Sequence, residues 1–321
     1  MKARVGVVGA RGFVGAELVR LVAKHPRMSL ELVTSAEAAG ARVAEVIEGV
    51  ELDARFEAPS PEDAARRDLD VVFLGLPNGA SAPWVEAFAG ARAVVVDLGA
   101  DHRFDDAWAY GQPERNRAAI RGARRVASPG CYATAAQLAI EPIKELVRDV
   151  AAFGVSGYSG AGATPSRRND PDALRDAITP YALVDHVHER ELRRQLGLAV
   201  RFTPHVAPFF RGLSVTVSFA LDRPSSRADL ARRFDDRYAD EPFVRIVDEA
   251  PHARDAALRH DVTIGGLAIG ADGVHGAVVA ALDNLRGGAA TQALRCANLA
   301  LGLDEAEGIH CRDSAVAGRD R

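Results

Sequence analysis

The sequence is poor in cysteine and in aromatic residues, and no apolar run in it is long enough to cross a bilayer. Its three cysteines, at positions 131, 296 and 311, are odd in number and lack the spacing of a metal site. We therefore expect a reduced, cytosolic protein without disulfides. The chain runs from Met1 straight into a predicted strand, so no signal peptide is expected.

No sign of charge dominates the sequence. Forty basic and 44 acidic residues give a net charge of −4 at pH 7, and there is no polybasic block. Neither nucleic acid nor an anionic membrane is therefore expected as a partner. The length of 321 residues and an apolar content of 48% suffice for two domains, each with a core of its own.

The first third of the chain has the pattern of a dinucleotide-binding fold. A β-branched strand over residues 4–8 is followed by a glycine-rich turn and by apolar residues at helical spacing, up to His25 and Pro26. Such glycines permit a tight turn, approach of the backbone to a pyrophosphate, and close packing of helix on strand. The spacing is GxxGxxG, and a purely structural turn is the alternative. The predicted cofactor-binding residues are Gly9, Arg11, Gly12, Phe13, Val14 and Gly15.

The second predicted strand, residues 30–35, lacks the terminal acidic residue that binds a free ribose 2′-hydroxyl. Thr34 and Ser35 can instead accommodate a 2′-phosphate, with Arg11 or Arg42 nearby. The expected cofactor is therefore NADP.

Two further buried strands are predicted over residues 69–76 and 93–98. Pro77 follows the first, where the loop after a parallel strand meets the cofactor. Alternating strands and helices predict an α/β fold with a doubly wound parallel sheet.

A single cysteine follows a small, flexible turn, Ser128-Pro129-Gly130-Cys131. Residues 133–140 have the pattern of the helix that begins there. A thiol at the positive end of a helix dipole is favoured as thiolate, which makes Cys131 a candidate nucleophile. A buried, inert cysteine is the alternative.

Farther along, His186, His188 and Glu191 lie close together in the sequence. A histidine within reach of a thiol acts as general acid or base, and a carboxylate fixes its tautomer. Metal binding and two exposed histidines at a helix start are the rival interpretations. No third set of ligands is visible, so no metal is expected.

The remainder of the chain predicts an antiparallel sheet with helices. Residues 155–162 are predicted to form a small-residue loop, and residues 164–176 a mobile connection. Strands are predicted over 213–219, 262–269 and 276–282, with an amphipathic helix over 227–239. Arg211, just before the first of these strands, is a candidate to bind a substrate carboxylate bidentately.

On its motifs the chain resembles the N-acetyl-γ-glutamyl-phosphate reductase family, within the aspartate-semialdehyde dehydrogenase superfamily. The resemblance covers nearly the whole chain, and its most specific part is the cysteine motif followed by Pro-Tyr and His-x-His-x-x-Glu. The motifs that carry it include GARGFVGAEL (9–18), DLGADHRF (97–104), YGQPERNR (110–117), SPGCYAT (128–134), PYALVDHVHEREL (180–192) and DNLRGGAATQAL (283–294).

The resemblance implies a fold, a reaction and an assembly. It implies a Rossmann domain over residues 1–130, closed by a returning C-terminal helix over 287–311. Residues 131–286 are then an α+β catalytic and dimerisation domain of the semialdehyde dehydrogenase type. The implied reaction is the NADPH-dependent reduction of a small-molecule acyl phosphate to an aldehyde, by a homodimer or homotetramer.

The resemblance also implies roles for individual residues. Cys131 corresponds to the nucleophile, His186 to the acid/base and Glu191 to the carboxylate that supports this histidine. The remaining site residues are Ser159, Gly160 and Asn284 for the cofactor, and Arg103, Ser128 and Arg211 for the substrate.

The chain departs from the family at three positions where arginine is usual, which are Ala36, Ala163 and Val187. Arg167, Arg168 and Arg211 are candidates to supply the missing charge near the substrate. One alternative is a related reductase of an aminoadipyl or carrier-protein-bound acyl phosphate for lysine synthesis. Another is aspartate-semialdehyde dehydrogenase, which the cysteine and histidine motifs disfavour. The third is a catalytically idle NADP-binding sensor.

Overall fold

The computed structural model describes residues 2–309, which fold into two compact units. Within them, the first unit takes the chain up to Pro129 and again from Ala289, and the second takes Gly130–Gly288. The chain thus passes into the second unit one residue before Cys131.

The first unit is built on a six-stranded sheet in which every neighbouring pair is parallel. The strand order is β2-β1-β3-β4-β6-β5. All residues of β3 and β4 are buried, which explains why their sequences, VVFL and VVVD, are apolar up to Asp97 at the end of β4. The strands are β1 (Ala3–Val8), β2 (Met28–Val33), β3 (Val71–Leu74), β4 (Val94–Asp97), β5 (Ala109–Tyr110) and β6 (Arg125–Ala127).

Helices cover this sheet, and the predicted parallel sheet is confirmed. The helices are α1 (Phe13–Ala23), α2 (Val43–Val46), α3 (Pro61–Ala65), α4 (Ala82–Ala87), α5 (Pro113–Ile120) and α10 (Thr291–Ala300). Residues of α3 and α4 join a core cluster with alternate residues of β1, β3 and β4. Outside that cluster, α1 packs on β1 and β2, and α10 packs on β4.

The returning helix is shorter than the expected range of 287–311. A π-helical turn, Arg286–Ala290, precedes α10, which ends at Ala300. The chain leaves the helix at Gly302, whose φ of +72° favours glycine. Cys311 and the tail that was expected to fray lie outside the described residues.

The second unit contains a seven-stranded mixed sheet of order β11-β12-β13-β10-β7-β9-β8. The predicted antiparallel pairing holds for most neighbours but is wrong for β7–β9 and β11–β12, which are parallel. Each of these pairs is joined by a crossover that contains a helix, as parallel strands require. The strands are β7 (Val147–Gly157), β8 (Thr179–Pro180), β9 (Val200–Ala207), β10 (Leu213–Leu221), β11 (Val244–Ile246), β12 (Val262–Ile269) and β13 (His275–Leu282).

Three helices cover one face of this sheet. They are α6 (Cys131–Ile140), α7 (Val187–Leu196) and α8 (Arg227–Tyr238), and α9 (Ala253–Ala256) contacts β10 and β13. Their apolar residues form one core with inward residues of β7, β9, β10 and β13. The residues of β7 that alternate with that core, including Phe153, are half-buried or exposed.

The predicted loop over 155–162 is wrong for its first three residues, which complete β7. The glycines there serve close packing rather than a turn. A Cβ at Gly154 would lie 2.5 Å from the ring of Tyr132, and one at Gly157 would lie 2.6 Å from the carbonyl oxygen of Phe210. A 3₁₀ turn, Tyr158–Ala161, then follows.

Candidate active site

Cys131 is the first residue of α6, and its side chain is partly exposed. Gly130, the N-cap, is extended (φ −73°, ψ 146°) and has no side chain with which to cap the helix. Cys131 therefore lies at the positive end of the α6 helix dipole, which favours negative charge there. Gly288 of the π-helical turn passes so close that a Cβ on it would lie 2.7 Å from the Cβ of Cys131.

The second described cysteine is unsuited to nucleophilic chemistry. Cys296 in α10 is fully buried, and its Sγ lies 3.3 Å from the carbonyl oxygen of Gly111. Burial raises the pKa of its thiol well above the usual value. Cys296 thus stays protonated, whereas Cys131 has solvent access.

Glu191 in α7 reaches the turn that carries the thiol. Its carboxylate is fully buried, and Oε1 accepts a hydrogen bond of 3.1 Å from the backbone N–H of Gly130. This contact fixes the residue that precedes Cys131. The expected support of His186 by Glu191 stays a prediction.

His186 is the N-cap of α7, and its Nδ1 accepts a hydrogen bond of 3.1 Å from the backbone N–H of His188. This contact needs a lone pair on Nδ1, so a neutral ring carries its hydrogen on Nε2. The two imidazole rings form a T-shaped pair with centroids 4.7 Å apart. The sequence thus places His186 at a helix start, and the cap fixes the orientation of its ring.

Aromatic rings surround the two histidines. The ring of Tyr181 lies 5.6 Å from that of His186 in a T-shaped contact, and Phe202 lies 5.5 Å from His186. Burial raises the pKa of Tyr181 to about 12, and the neighbouring Cys131 adds to the shift. Cys131 and His186 thus share Tyr181 as a neighbour. Sequence reasoning missed this tyrosine, although the Pro-Tyr pair was part of the motif.

Tyr132, next to the nucleophile candidate, is anchored in the core. Its hydroxyl donates a hydrogen bond of 2.6 Å to the carbonyl oxygen of His205. Burial raises its pKa far above the usual value, so it stays neutral. Its ring packs against Phe202 and His188, which joins α6 to β9 and α7.

Arg211, predicted to bind a substrate carboxylate, is held by a carboxylate of the protein itself. Its Nε lies 2.7 Å from Oδ2 of Asp283, and its Nη2 lies 3.1 Å from Oδ1. Asp283 is fully buried and also accepts hydrogen bonds from the backbone N–H groups of Leu285 and Arg286. One edge of the guanidinium is therefore already engaged.

Asn284 joins two loops of the second unit. Its Oδ1 accepts a bond of 2.8 Å from the N–H of Gly212, and its Nδ2 donates one of 2.8 Å to the Oγ of Ser159. A Cβ at Gly160 would lie 2.9 Å from the Oγ of Ser156. The structure thus brings Ser159, Gly160 and Asn284 together, and their role toward the cofactor stays a prediction.

The glycine-rich turn of the first unit is packed as a dinucleotide turn requires. Gly9 has a φ of +76°, and a Cβ there would lie 2.3 Å from the carbonyl oxygen of Gly75. A Cβ at Gly15 would lie 2.4 Å from the carbonyl oxygen of Gly9. Gly12 is the N-cap of α1 and has no side chain, and Phe13 and Val14 follow in the first turn, at the positive end of the helix dipole.

The residues after β2 support this turn. Thr34 is buried, and its Oγ1 accepts a hydrogen bond of 3.1 Å from the N–H of Gly9. The Oγ of Ser35 accepts a bond of 3.2 Å from the N–H of Ala38. Arg11, which is half exposed, forms an ion pair with Glu37 across the two loops. Ser35 and Arg11 therefore lie beside the glycine turn, whereas the buried Thr34 stabilises the turn through its hydrogen bond with Gly9.

The loops after β3 and β4 are tied together at the carboxyl edge of the sheet. Asn78, beside the exposed Pro77, accepts a bond of 3.0 Å from the N–H of Ala100. Asp101 accepts bonds from the N–H of Gly79 and from the Oγ of Ser81. Sequence reasoning missed both side chains, whose polar type in loops after buried strands was the available signal.

Arg103 and Ser128 connect this edge to the turn that leads to the cysteine. The buried Arg103 donates from Nε to the carbonyl oxygen of Ser128 at 2.9 Å and from Nη2 to that of Leu98 at 3.2 Å. Within residues 2–309 the buried Oγ of Ser128 has no hydrogen-bond partner. Arg103 thus positions the backbone of the turn through two carbonyl groups.

Residues 2–309 contain no group of three or more His, Cys, Asp or Glu residues arranged to hold a metal ion. None of the helices in this part of the chain has the length and apolar character needed to span a membrane.

Each of the two units matches the model of a known protein domain. The model of the semialdehyde dehydrogenase NAD binding domain matches residues 4–123, and that of the semialdehyde dehydrogenase dimerisation domain matches residues 131–284. The chain belongs to the semialdehyde dehydrogenase family. Its nicotinamide cofactor therefore belongs to the first unit, and its oligomer contacts to the second.

Individual members of the semialdehyde dehydrogenase family resemble the chain over almost its whole length. N-acetyl-gamma-glutamyl-phosphate reductase of Xanthomonas campestris pv. campestris (strain B100) is 50% identical over 95% of this chain and 98% of that protein. The enzyme of the same name from Stenotrophomonas maltophilia (strain R551-3) is 48% identical over 95% and 97%. Aspartate semialdehyde dehydrogenase II of Vibrio cholerae, a solved structure, has a TM-score of 0.75 at 18% identity, covering 94% and 99%. That likeness shows the shared semialdehyde dehydrogenase fold.

Proposed function

We propose that the protein reduces N-acetyl-γ-glutamyl phosphate to N-acetylglutamate semialdehyde and phosphate, with NADPH, in arginine biosynthesis. The observation that carries this proposal is the partly exposed Cys131 at the start of α6, which shares Tyr181 as a neighbour with the capped His186. Relatives of that name at 50% identity support the choice of substrate.

The first half of the reaction uses the thiol. The Cys131 thiolate bonds to the carbonyl carbon of the acyl phosphate, the carbon–oxygen bond to phosphate breaks, and a thioester remains on Sγ. The positive end of the α6 helix dipole favours the thiolate. Glu191 and Arg103 hold the turn that precedes Cys131, through Gly130 and Ser128 respectively, so the turn is ordered before substrate arrives.

The second half releases the aldehyde. NADPH, when bound, supplies a hydride to the carbonyl carbon of the thioester. The carbon–sulfur bond then breaks, and His186 supplies a proton to the sulfur. Because Nδ1 accepts the bond from the N–H of His188, Nε2 is the ring nitrogen that passes the proton to the departing sulfur.

The first unit fits a dinucleotide with a 2′-phosphate. Gly9 and Gly15 allow a close packing of backbone segments that a Cβ would prevent, and Gly12 is the N-cap of α1. These residues, with Phe13 and Val14, would hold the pyrophosphate. Ser35 and Arg11 would hold the 2′-phosphate, since β2 is followed by Thr34 and Ser35 rather than by an acidic residue.

The second unit supplies a surface for a homodimer or homotetramer. Phe153 of β7 is 46% exposed on the sheet face opposite the core that α6, α7 and α8 share. Ala151 and Val155, on the same face, are half-buried. An apolar sheet face of this kind is suited to bury against a second copy of the chain.

The deciding experiment runs the reaction in reverse. N-acetylglutamate semialdehyde, phosphate and NADP are mixed with the protein, and formation of NADPH is followed by absorbance. The proposal expects phosphate-dependent turnover, faster with NADP than with NAD. Aminoadipate semialdehyde serves as the comparison substrate, and a preference for it would replace the proposed function by the lysine-pathway alternative.

A further inference from the structure

An exposed arginine lies over the tyrosine that Cys131 and His186 share. The guanidinium carbon of Arg168 is 5.1 Å from the centroid of the Tyr181 ring, a cation–π distance. The same ring meets His186 at 5.6 Å. Arg168 therefore lies within the length of a short substrate from the imidazole.

The positive charge of Arg168 is not neutralised by the protein in the described structure. Arg211 is paired with Asp283, and Arg193 with Glu189. No carboxylate within residues 2–309 lies at ion-pair distance from Arg168, whose described contact is with Tyr181. Its side chain is exposed and can accept an anion from solution.

The loop that carries Arg168 is held in shape by its neighbour. The Nδ2 of Asn169 donates bonds of 2.7 Å to the carbonyl oxygens of Gly162 and Thr164. Its Oδ1 accepts from the N–H of Ser166 at 2.7 Å. Leu174, farther along the segment, is buried and anchors it. Arg168 is thus presented by an ordered turn, although this stretch was expected to be a mobile connection.

We propose that Arg168 binds the substrate carboxylate that is remote from the reacting carbonyl. This assignment rests on the proposed function. The phosphate leaves from the carbon that bonds to the sulfur, so it must lie beside Cys131. The Tyr181 ring separates the Arg168 guanidinium from the thiol, so the guanidinium can reach the other end of the substrate molecule. There it can bind a carboxylate through two parallel hydrogen bonds. Asn169 is then a positioning residue for Arg168.

The test compares two aldehydes in the reverse assay, N-acetylglutamate semialdehyde and N-acetyl-4-aminobutanal, which lacks only the carboxylate. Arg168→Ala should raise KM for the first aldehyde roughly ten- to a hundredfold, the loss expected for a charged hydrogen bond. It should leave kcat, KM for phosphate and KM for the second aldehyde nearly unchanged. Arg168→Lys should keep part of the preference for the aldehyde that has the carboxylate. Asn169→Ala should raise KM for that aldehyde, as Arg168→Ala does.

Arg175→Ala is the matched control, because Arg175 is an exposed arginine of the same segment that pairs with Asp172. It should behave as the wild type. An unchanged KM in Arg168→Ala, with an active wild type, would overturn the assignment alone, as would a rise in KM for phosphate instead. An inactive wild type would reject the proposed function and this assignment with it.

Discussion

Replacing Gly15 with alanine is expected to destabilise the first unit and to weaken cofactor binding. The new Cβ would lie 2.4 Å from the carbonyl oxygen of Gly9 and 2.7 Å from the Cα of Ala10, and backbone atoms cannot rotate away. Overpacking of this kind costs about 1–3 kcal/mol. The higher helix propensity of alanine offsets at most about 1 kcal/mol of it. A net loss of about 1–2 kcal/mol corresponds to a fall in Tm of about 2–8 °C for a domain of this size.

Variants of two other glycines distinguish an effect on stability from an effect on cofactor binding. A Cβ at Gly12 would meet only the carbonyl oxygen of Gly9, at 3.3 Å. Gly12→Ala should therefore change Tm little while reducing NADPH affinity, because the methyl group occupies the approach of the phosphates. A Cβ at Gly90 has nothing within 4 Å, so Gly90→Ala should change neither.

The assays are thermal unfolding and calorimetric titration with NADPH. The expected order is a loss of both stability and affinity for Gly15, of affinity alone for Gly12, and of neither for Gly90. A Gly15→Ala variant that unfolds and binds NADPH like Gly90→Ala would refute the structural account of the turn.

Three further predictions concern the second unit. Asp283→Asn should lower the free energy of unfolding by up to about 3 kcal/mol, because it leaves the half-buried Arg211 without its counter-ion; an unchanged midpoint in denaturant would contradict this. Phe153→Asp should shift the oligomer toward monomer in light scattering, and an unaltered mass would argue against that face as the interface. Folding raises the pKa of Tyr181 from about 10 to about 12. Between these pH values the tyrosine ionises in the unfolded chain but stays neutral in the folded one, so the free energy of unfolding falls as pH rises from about 10 to 12. Tyr181→Phe should flatten that fall in unfolding curves; an identical slope would contradict the raised pKa.

Local patterns were sufficient to predict the parallel sheet and the start of α6. The strand before Gly9 and the periodic apolar residues after it belong to one short segment, so the sequence itself contains the signal. The helix after Cys131 is equally local. Side-chain contacts between segments distant in the sequence could not be predicted from local patterns. The bond between Glu191 and Gly130 spans 61 residues, and that between Arg211 and Asp283 spans 72.

Glycine was the most misleading residue type. Gly157 belongs to a stretch predicted as a loop, because glycine is common in turns, and Gly154 directly precedes that stretch. In the structure they lie in β7, where the Tyr132 ring and the backbone of Phe210 leave no room for a side chain. Only the packing of neighbouring segments distinguishes such a glycine from one that bends the chain. The placement of Arg168 over Tyr181 is similarly a result of packing, since the two residues lie in different loops.

The central claim is that Cys131 forms a covalent thioester with the substrate. The most direct test is the reverse reaction of Cys131→Ser with N-acetylglutamate semialdehyde, phosphate and NADP, together with NADP titration of the same variant. The account predicts that NADPH formation falls to background while cofactor affinity is unchanged. Near-normal turnover by this variant would contradict it.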